Sequence, residues 1–251
     1  GVQTCALPIS PSNKKASSCP HVVCSACQYA KQHRRTPDSF VSTKIEENDG
    51  AITGSVSRVG DRVACDQYIS RVPGRLLHTS GREGPTSKLV GGTIFVDTES
   101  GFVFHNHQSN LTAGSNLVSK SLCEKKFASY GITIKGFAAD NHPFGAQEWV
   151  NDCELKQQLP TIKSGVGAHH QNLAEHYIQV IFNWSRALML HFVLCWPQVA
   201  VTRSDLWPFA IDQAVYMHNM LPSSSTFLSP TEAVSGTKFD NYNHLFCAHV
   251  F

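Results

Sequence analysis

Three carboxylates in this chain are spaced so that they could converge on divalent cations. The strand-like run DRVACDQYI delivers Asp66, and a second apolar run (Ile132, Ile134, Phe137, Ala138, Ala139) ends at Asp140, followed by a turn-forming Asn-His-Pro. Thirty-four residues intervene before Glu175, which falls in the first turn of a long amphipathic helix. Breaking and joining phosphodiesters calls for such a set. Magnesium takes oxygen ligands, and two ions roughly 3.5–4 Å apart can stabilise both the attacking and the leaving oxygen of an in-line displacement. Asp97 competes with Asp66 for a place in the set, because it too ends an apolar strand before a turn.

The elements that must position these groups follow from periodicity. DRVACDQYI is a strand, and SRVPGRLLHTSGREGPTSK after it reads as a long loop carrying Arg71, Arg75, His78, Arg82 and Lys88. LVGGTIFVDTESGFVFHNHQ reads as two strands around a tight turn at Glu99–Gly101. SNLVSKSLCEKKFASYG is a helix with Gly131 as its C-cap, ITIKGFAAD a strand and FGAQEWVNDCELKQQ a helix, and LPTIKSGVGAHHQN contains a short strand and then a loop. From Asn172, a helix places Ala174, Ile178, Ile181, Phe182, Ser185, Leu188 and Phe192 on one face. Glu175, Gln179 and Arg186 fall on another, so Glu175 is directed away from the core stripe. SDLWPFAIDQAVYMHNML is a last helix with a Ser or Asp cap, and the residues after Pro222 read as loops. This order predicts an α/β fold, a mixed sheet with helices around it.

The N-terminal segment offers a second kind of chemistry. Cys24 and Cys27 have the two-residue spacing that brings two thiolates to one zinc ion. Cys19 and His21 could complete four ligands, but the same residues read equally as free thiols. Lys14, Lys15, Lys31, Arg34 and Arg35 precede any acid, a run able to neutralise phosphates or simply to be solvated.

Composition sets the frame. With 251 residues, 41% of them hydrophobic, the chain can bury a real core, and the net charge of +2 does not by itself argue for a nucleic-acid partner. Nine cysteines, clustered only near the N-terminus, fit buried thiols in a reducing compartment better than a disulfide framework. The longest apolar runs are interrupted by polar residues, so no membrane span is expected, and no secretory signal is recognisable. The absence of an initial Met suggests a piece of something longer.

AADNHPFG followed by HHQNLAEH resembles the second Asp and the Glu of the integrase cores of Copia-type retrotransposons, which carry D-N-G-like and Q-N-G-V-A-E-R-like signatures there. The CxxC and basic run, the strand with Asp66, GGTIFVDTESGF, and the downstream blocks RALMLHF, DLWPFAIDQAVYMHNMLPSS and SPTEAVSG are similar to the same polyproteins in the same order. The resemblance spans Cys19 to Phe251. It implies an RNase H-like fold, a mixed five-stranded sheet flanked by helices, behind a small zinc-knuckle-like segment. It also implies Asp66, Asp140 and Glu175 as a triad holding two Mg2+ or Mn2+ ions, with Asp97 left to cap the hairpin turn. Water would be the nucleophile in end processing and a 3′-hydroxyl in strand transfer, with no covalent enzyme intermediate. Cys24 and Cys27 match the last two ligands of the family's His-His-Cys-Cys zinc module. Lys31, Arg34, Arg35, Asn141, His170, Gln171 and Asn172 are the nucleic-acid contacts that this reading expects.

The chain departs from the family pattern. Leu173 and Ala174 stand where the family has Gly-Val-Ala, one residue short; His176 replaces the usual Arg; the upstream His pair is missing. A missing residue turns a helical side chain by about 100° unless the helix starts later. A catalytically inactive nucleic-acid-binding relic is thus an alternative, and an RNase H-like nuclease acting on RNA–DNA hybrids a third reading. The expected partition is a disordered or non-native lead over 1–18, a partial zinc-knuckle and basic segment over 19–38, and a linker over 39–60. The catalytic core follows over 61–222, then a truncated extension over 223–251. Expected partners are the DNA ends and target and further copies of the chain, with no membrane; the expected location is the nucleus or a cytoplasmic retroelement particle. His142, His169 and the four tryptophans have blander readings, as turn, loop and core residues.

Overall fold

The computed structural model describes residues 58–75, 88–140, 144–163, 173–200, 204–223 and 226–238. The strands are β1 (Val63–Gly74), β2 (Leu89–Asp97), β3 (Val103–Gln108), β4 (Gly136–Asp140) and β5 (Leu159–Lys163). The helices are α1 (Ala113–Ala128), α2 (Gln147–Leu155), α3 (Leu173–Cys195), the short α4 (Pro197–Ala200), α5 (Trp207–Met220) and α6 (Pro230–Ser235). The five strands form one sheet in the order β3-β2-β1-β4-β5. β1–β2 and β2–β3 are antiparallel, while β1–β4 and β4–β5 are parallel. This is the mixed, helix-flanked RNase H-like sheet that the sequence implied.

Strand alternation divides the core into two layers. Val63, Cys65, Phe95, Phe137 and Ala139 point to one face, where Cys123 and Phe127 of α1 and Trp149 and Cys153 of α2 cover them. Ala64, Tyr68, Ile94, Val96 and Val103 point to the other, against Ala174 and Ile181 of α3 and Ile211, Ala214 and Val215 of α5. Of the apolar stripe read along α3, Ala174, Ile181 and Ser185 are buried and Ile178, Phe182, Leu188 and Phe192 are half-buried, whereas Gln179 and Arg186 are exposed and Glu175 is half-buried. α3 is also long and apolar enough, by length and composition, to cross a membrane, although its segment read as too interrupted. It packs on β1 and β2 through a narrow stripe, with only Ala174, Ile181 and Ser185 of its residues buried.

Several local expectations are corrected. β1 continues through Ser70–Gly74, which read as loop. Pro73 is tolerated because the β1–β2 register is irregular between Ile69 and Gly74, and β1 pairs with β4 only over Val63–Cys65. Residues 132–135 run into β4 without strand pairing. Gly131 takes a left-handed φ of +75°, but α1 ends earlier, at Ala128, with Ser129 as its cap. α5 lacks a side-chain cap; a 3-10 turn over Ser204–Leu206 leads into it, with Pro208 in its first turn. After Pro222 comes a helix, α6, closed by a capping box: Ser229 accepts from the Glu232 N–H and the Glu232 carboxylate accepts from the Ser229 N–H. Val234 of α6 joins the α1/α2-side core and Val59 packs against it, so the packed unit extends beyond both ends of the 61–222 span. Trp196 and Cys195 are exposed at the end of α3, unlike the buried Trp149 and the buried thiols Cys65, Cys123 and Cys153.

Candidate active site

Asp66 and Asp140 stand side by side. The parallel register pairs Ala64 with Ala138 and Cys65 with Ala139, and Asp66 and Asp140 are the next residues along the two strands. Cys65 and Ala139 belong to the α1/α2 side, so by alternation both carboxylates project to the α3/α5 side. Both are partly buried. The Asp66 Oδ1 accepts a hydrogen bond of 2.7 Å from the Gln67 N–H, and the Gln67 amide in turn donates to Asn116 Oδ1 at 2.6 Å. Glu175 is the third residue of α3, next to Ala174, which is fully buried against the same face of the sheet. Two of the carboxylates thus come from neighbouring strands, and Glu175 sits in the first turn of the helix that covers their face of the sheet.

Asp97 does different work. Its backbone pairs with Val63, three residues before Asp66 on β1. Fully buried, it accepts from the Gly60 N–H at 2.8 Å, and from the Ser100 N–H and hydroxyl at 2.7 Å each. Gly101, at φ +68°, completes the turn by donating its N–H to the Asp97 carbonyl. These contacts are structural: the side chain ties the β2–β3 hairpin to the chain entering β1.

The donor set of Asp66, Asp140 and Glu175 consists of carboxylate oxygens alone, the chemistry a hard divalent cation takes, and in that respect the residues fit magnesium or manganese. Their oxygens are not drawn together to the span of one ion. Among the described residues, the trio with ligand atoms all within 4.8 Å of one another is a different one: His105, His107 and Asp212. Asn141 and the stretch holding His170, Gln171 and Asn172, which lead out of β4 and into α3, lie outside the described residues. So do Cys24, Cys27, Lys31, Arg34 and Arg35, along with His142, His169, His78 and Arg82. Arg71 is exposed on β1, and the Arg75 N–H donates to the Asp205 carbonyl at 2.8 Å, joining the end of β1 to the turn before α5.

Sequence reading passed over the histidine cluster. His105 and His107 alternate along β3, so both face α5, where the Asp212 Oδ1 lies 2.6 Å from His105 Nε2 and 2.9 Å from His107 Nε2. The Tyr68 hydroxyl is 2.7 Å from His107 Nδ1. The signal was present as a His-x-His at strand period, but its partner is more than a hundred residues away. Buried thiols are not alternative nucleophiles: burial pushes Cys65 and Cys123 well above the ordinary thiol pKa.

No family model matches the chain, and no curated protein matches it. Solved structures do. The chain is similar to the HTLV-2 integrase catalytic core domain in complex with magnesium, in its dimeric form, at 16% identity and a TM-score of 0.45, over 70% of this chain and 97% of that one. It is also similar to the simian T-cell lymphotropic virus intasome in complex with PP2A regulatory subunit B56 gamma, at 15% identity and a TM-score of 0.50. There the match covers 75% of this chain and 60% of that one. The likeness to the intasome chain is one of fold.

Proposed function

We propose that this chain is the DNA-joining core of a Copia-type retrotransposon integrase, a metal-dependent transferase that processes the 3′ ends of retroelement DNA and joins them to a target strand. The observation that carries the reading is the position of Asp66 beside Asp140 on the sheet face onto which α3 brings Glu175. These three carboxylates would hold the two Mg2+ or Mn2+ ions. When bound, such ions activate the attacking oxygen and stabilise the leaving one. The carboxylates themselves supply fixed negative charge, and the Gln67 N–H holds Asp66 Oδ1 in place. Water attacks in end processing and a 3′-hydroxyl in joining, without a covalent enzyme intermediate.

In this reading Lys31, Arg34 and Arg35 neutralise phosphates, Asn141, His170, Gln171 and Asn172 lie along the DNA, and Cys24 and Cys27 belong to a zinc module. Bridging two DNA ends requires more than one copy of the chain. The place of action is the nucleus or a cytoplasmic retroelement particle.

A second reading has one observation in its favour. The three carboxylates are not gathered within 4.8 Å, as a relic that binds DNA without reacting would allow. The test is metal-dependent strand joining, and its reversal on a branched DNA substrate, comparing the chain with Asp140→Asn. Turnover with Mn2+ or Mg2+ that disappears in the variant supports the transferase. Salt-sensitive DNA binding with no turnover in either supports the relic, and absence of both DNA binding and turnover overturns the two together.

A further inference from the structure

The cluster on β3 and α5 belongs to neither carboxylate chemistry nor the N-terminal cysteines. We propose that His105, His107 and Asp212 form a zinc site that clamps helix α5 to the edge strand β3, with solvent in the fourth position.

The ligand types narrow the metal to a borderline transition ion such as zinc. Two imidazoles and one carboxylate suit zinc, whereas magnesium and calcium prefer oxygen alone. Three protein ligands and an open position are a common zinc arrangement. His105 and His107 side chains are largely buried, while the Asp212 side chain is 38% exposed, so the group opens to solvent on the helix side.

The geometry is close to what the ion requires. Zinc bonds of about 2.0–2.1 Å to nitrogen or oxygen place tetrahedral donors about 3.3 Å apart. Both Nε2 atoms converge on the one Asp212 oxygen, at 2.6 and 2.9 Å, so loading needs the donors to spread by less than about 1 Å. In exchange the ion replaces the two shared protons.

A supporting shell is in place. A zinc-bound histidine usually donates its other ring N–H to a fixed acceptor, which sets the tautomer. The Tyr68 hydroxyl stands 2.7 Å from His107 Nδ1 and can accept that proton, leaving the Nε2 lone pair for the metal. Tyr68 is itself held by the strand below it: a Cβ on Gly92 would sit 2.4 Å from its hydroxyl oxygen. The Trp207 ring packs edge-on against His107 at 5.5 Å between centroids.

This site is separate from the carboxylates. His105 and Asp66 pair with the same β2 residue, Ile94, from opposite sides, which puts them two strand spacings apart, about 9.6 Å.

The test uses the full chain carrying Cys5→Ser, Cys19→Ser, Cys24→Ser, Cys27→Ser, Cys195→Ser and Cys247→Ser, stripped of metal, so that thiolate sites cannot answer for this one. Zn2+ is titrated, with Co2+ as the spectroscopic probe. The expected result is one tightly bound ion, Co2+ bands without thiolate charge transfer, and a thermal midpoint that rises on loading. Asp212→Asn and His105→Gln each weaken binding by at least about tenfold, and Tyr68→Phe, which leaves all three ligands, weakens it by about 10–100-fold. Zinc affinity that is absent, or unchanged in both ligand variants while circular dichroism shows them folded, overturns the proposal. Should one ligand variant fail to fold, the other and Tyr68→Phe decide.

Discussion

Asp66 lies one residue beyond Cys65, and Asp140 one residue beyond Ala139, the parallel partner of Cys65, so the two carboxylates leave neighbouring strands at one level and on one face. Asp97 has no such neighbour and is instead saturated with hydrogen bonds from Gly60 and Ser100. The contrast separates the two aspartates by experiment. Asp66→Asn should lower metal-dependent strand joining by about a thousandfold, the equivalent of roughly 4 kcal/mol of charge stabilisation, and leave the urea midpoint nearly unchanged. Asp97→Ala should cost about 3 kcal/mol of stability, because three donors lose a charged acceptor. Reversed effects, with Asp97 governing turnover and Asp66 stability, would sink the assignment.

Stability should fall with acid in two stages. Burial holds His105 below its ordinary pKa against the Asp212 hydrogen bond, and holds His218 down against its bond to the Gly101 carbonyl. With folded pKa values below the unfolded ones, the unfolded chain takes up protons first. Stability is therefore full above about pH 6.5 and declines below it, down to the folded values. A further loss follows below about pH 4, where Asp212 and Glu124, whose carboxyls the fold holds low, begin to take up protons in the unfolded chain. Urea midpoints measured in EDTA should drop between pH 8 and pH 5, less steeply in His218→Gln. A midpoint that rises toward pH 5 contradicts this account.

Lys120 is fully buried, with its ammonium 2.8 Å from Glu124, 2.5 Å from Asp152 and 2.6 Å from Gln158, and 5.0 Å from the centre of the Phe137 ring. Against the burial that raises it, hydrogen bonds from Lys120, Lys156 and Gln158 hold the Glu124 carboxyl below its usual range. Lys120→Met keeps most of the volume but strands two carboxylates, with only the half-exposed Lys156 left to face them. Because those carboxylates are partly exposed, the cost should be about 2–3 kcal/mol, below that of a fully buried broken pair. Lys120→Met combined with Glu124→Gln and Asp152→Asn should recover part of it. No recovery in a urea titration would place the cost in packing alone.

Ser229 caps α6 and Thr231 anchors it, donating its hydroxyl to the Asn219 carbonyl at 2.8 Å. Ser229→Ala should cost about 1 kcal/mol, and Ser229→Asp should restore most of it. Equal stability of the three proteins by thermal melting would mean that packing of Val234 holds α6 without its cap.

Much of this molecule was legible because its strands and helices carry strong local signals. The 3.6-residue stripe along α3 turns toward the sheet, with Ala174, Ile181 and Ser185 buried and Ile178, Phe182, Leu188 and Phe192 half-buried, and the strand GFAAD ends at Asp140. The errors fell where local signals conflict with pairing. Pro73 argued against strand, yet β1 accommodates it at an irregular, half-free stretch. SPTE is a capping-box signature that was passed over inside a segment read as loop. Trp196 is apolar but ends a helix, where nothing among the described residues buries it.

By itself, the sequence determined the element types, their order, and the delivery of Asp66, Asp140 and Glu175 by two strands and a helix. Those properties depend on residues a few positions apart. Register and face did not follow from it, because an alternating strand states that its two sides differ without stating which helices cover each. Only the tertiary structure set Asp66 beside Asp140, gave Asp97 its structural role, and brought Asp212 of α5 onto His105 and His107 of β3. Contacts between residues a hundred positions apart are fixed by how whole layers pack, and no local pattern records that choice.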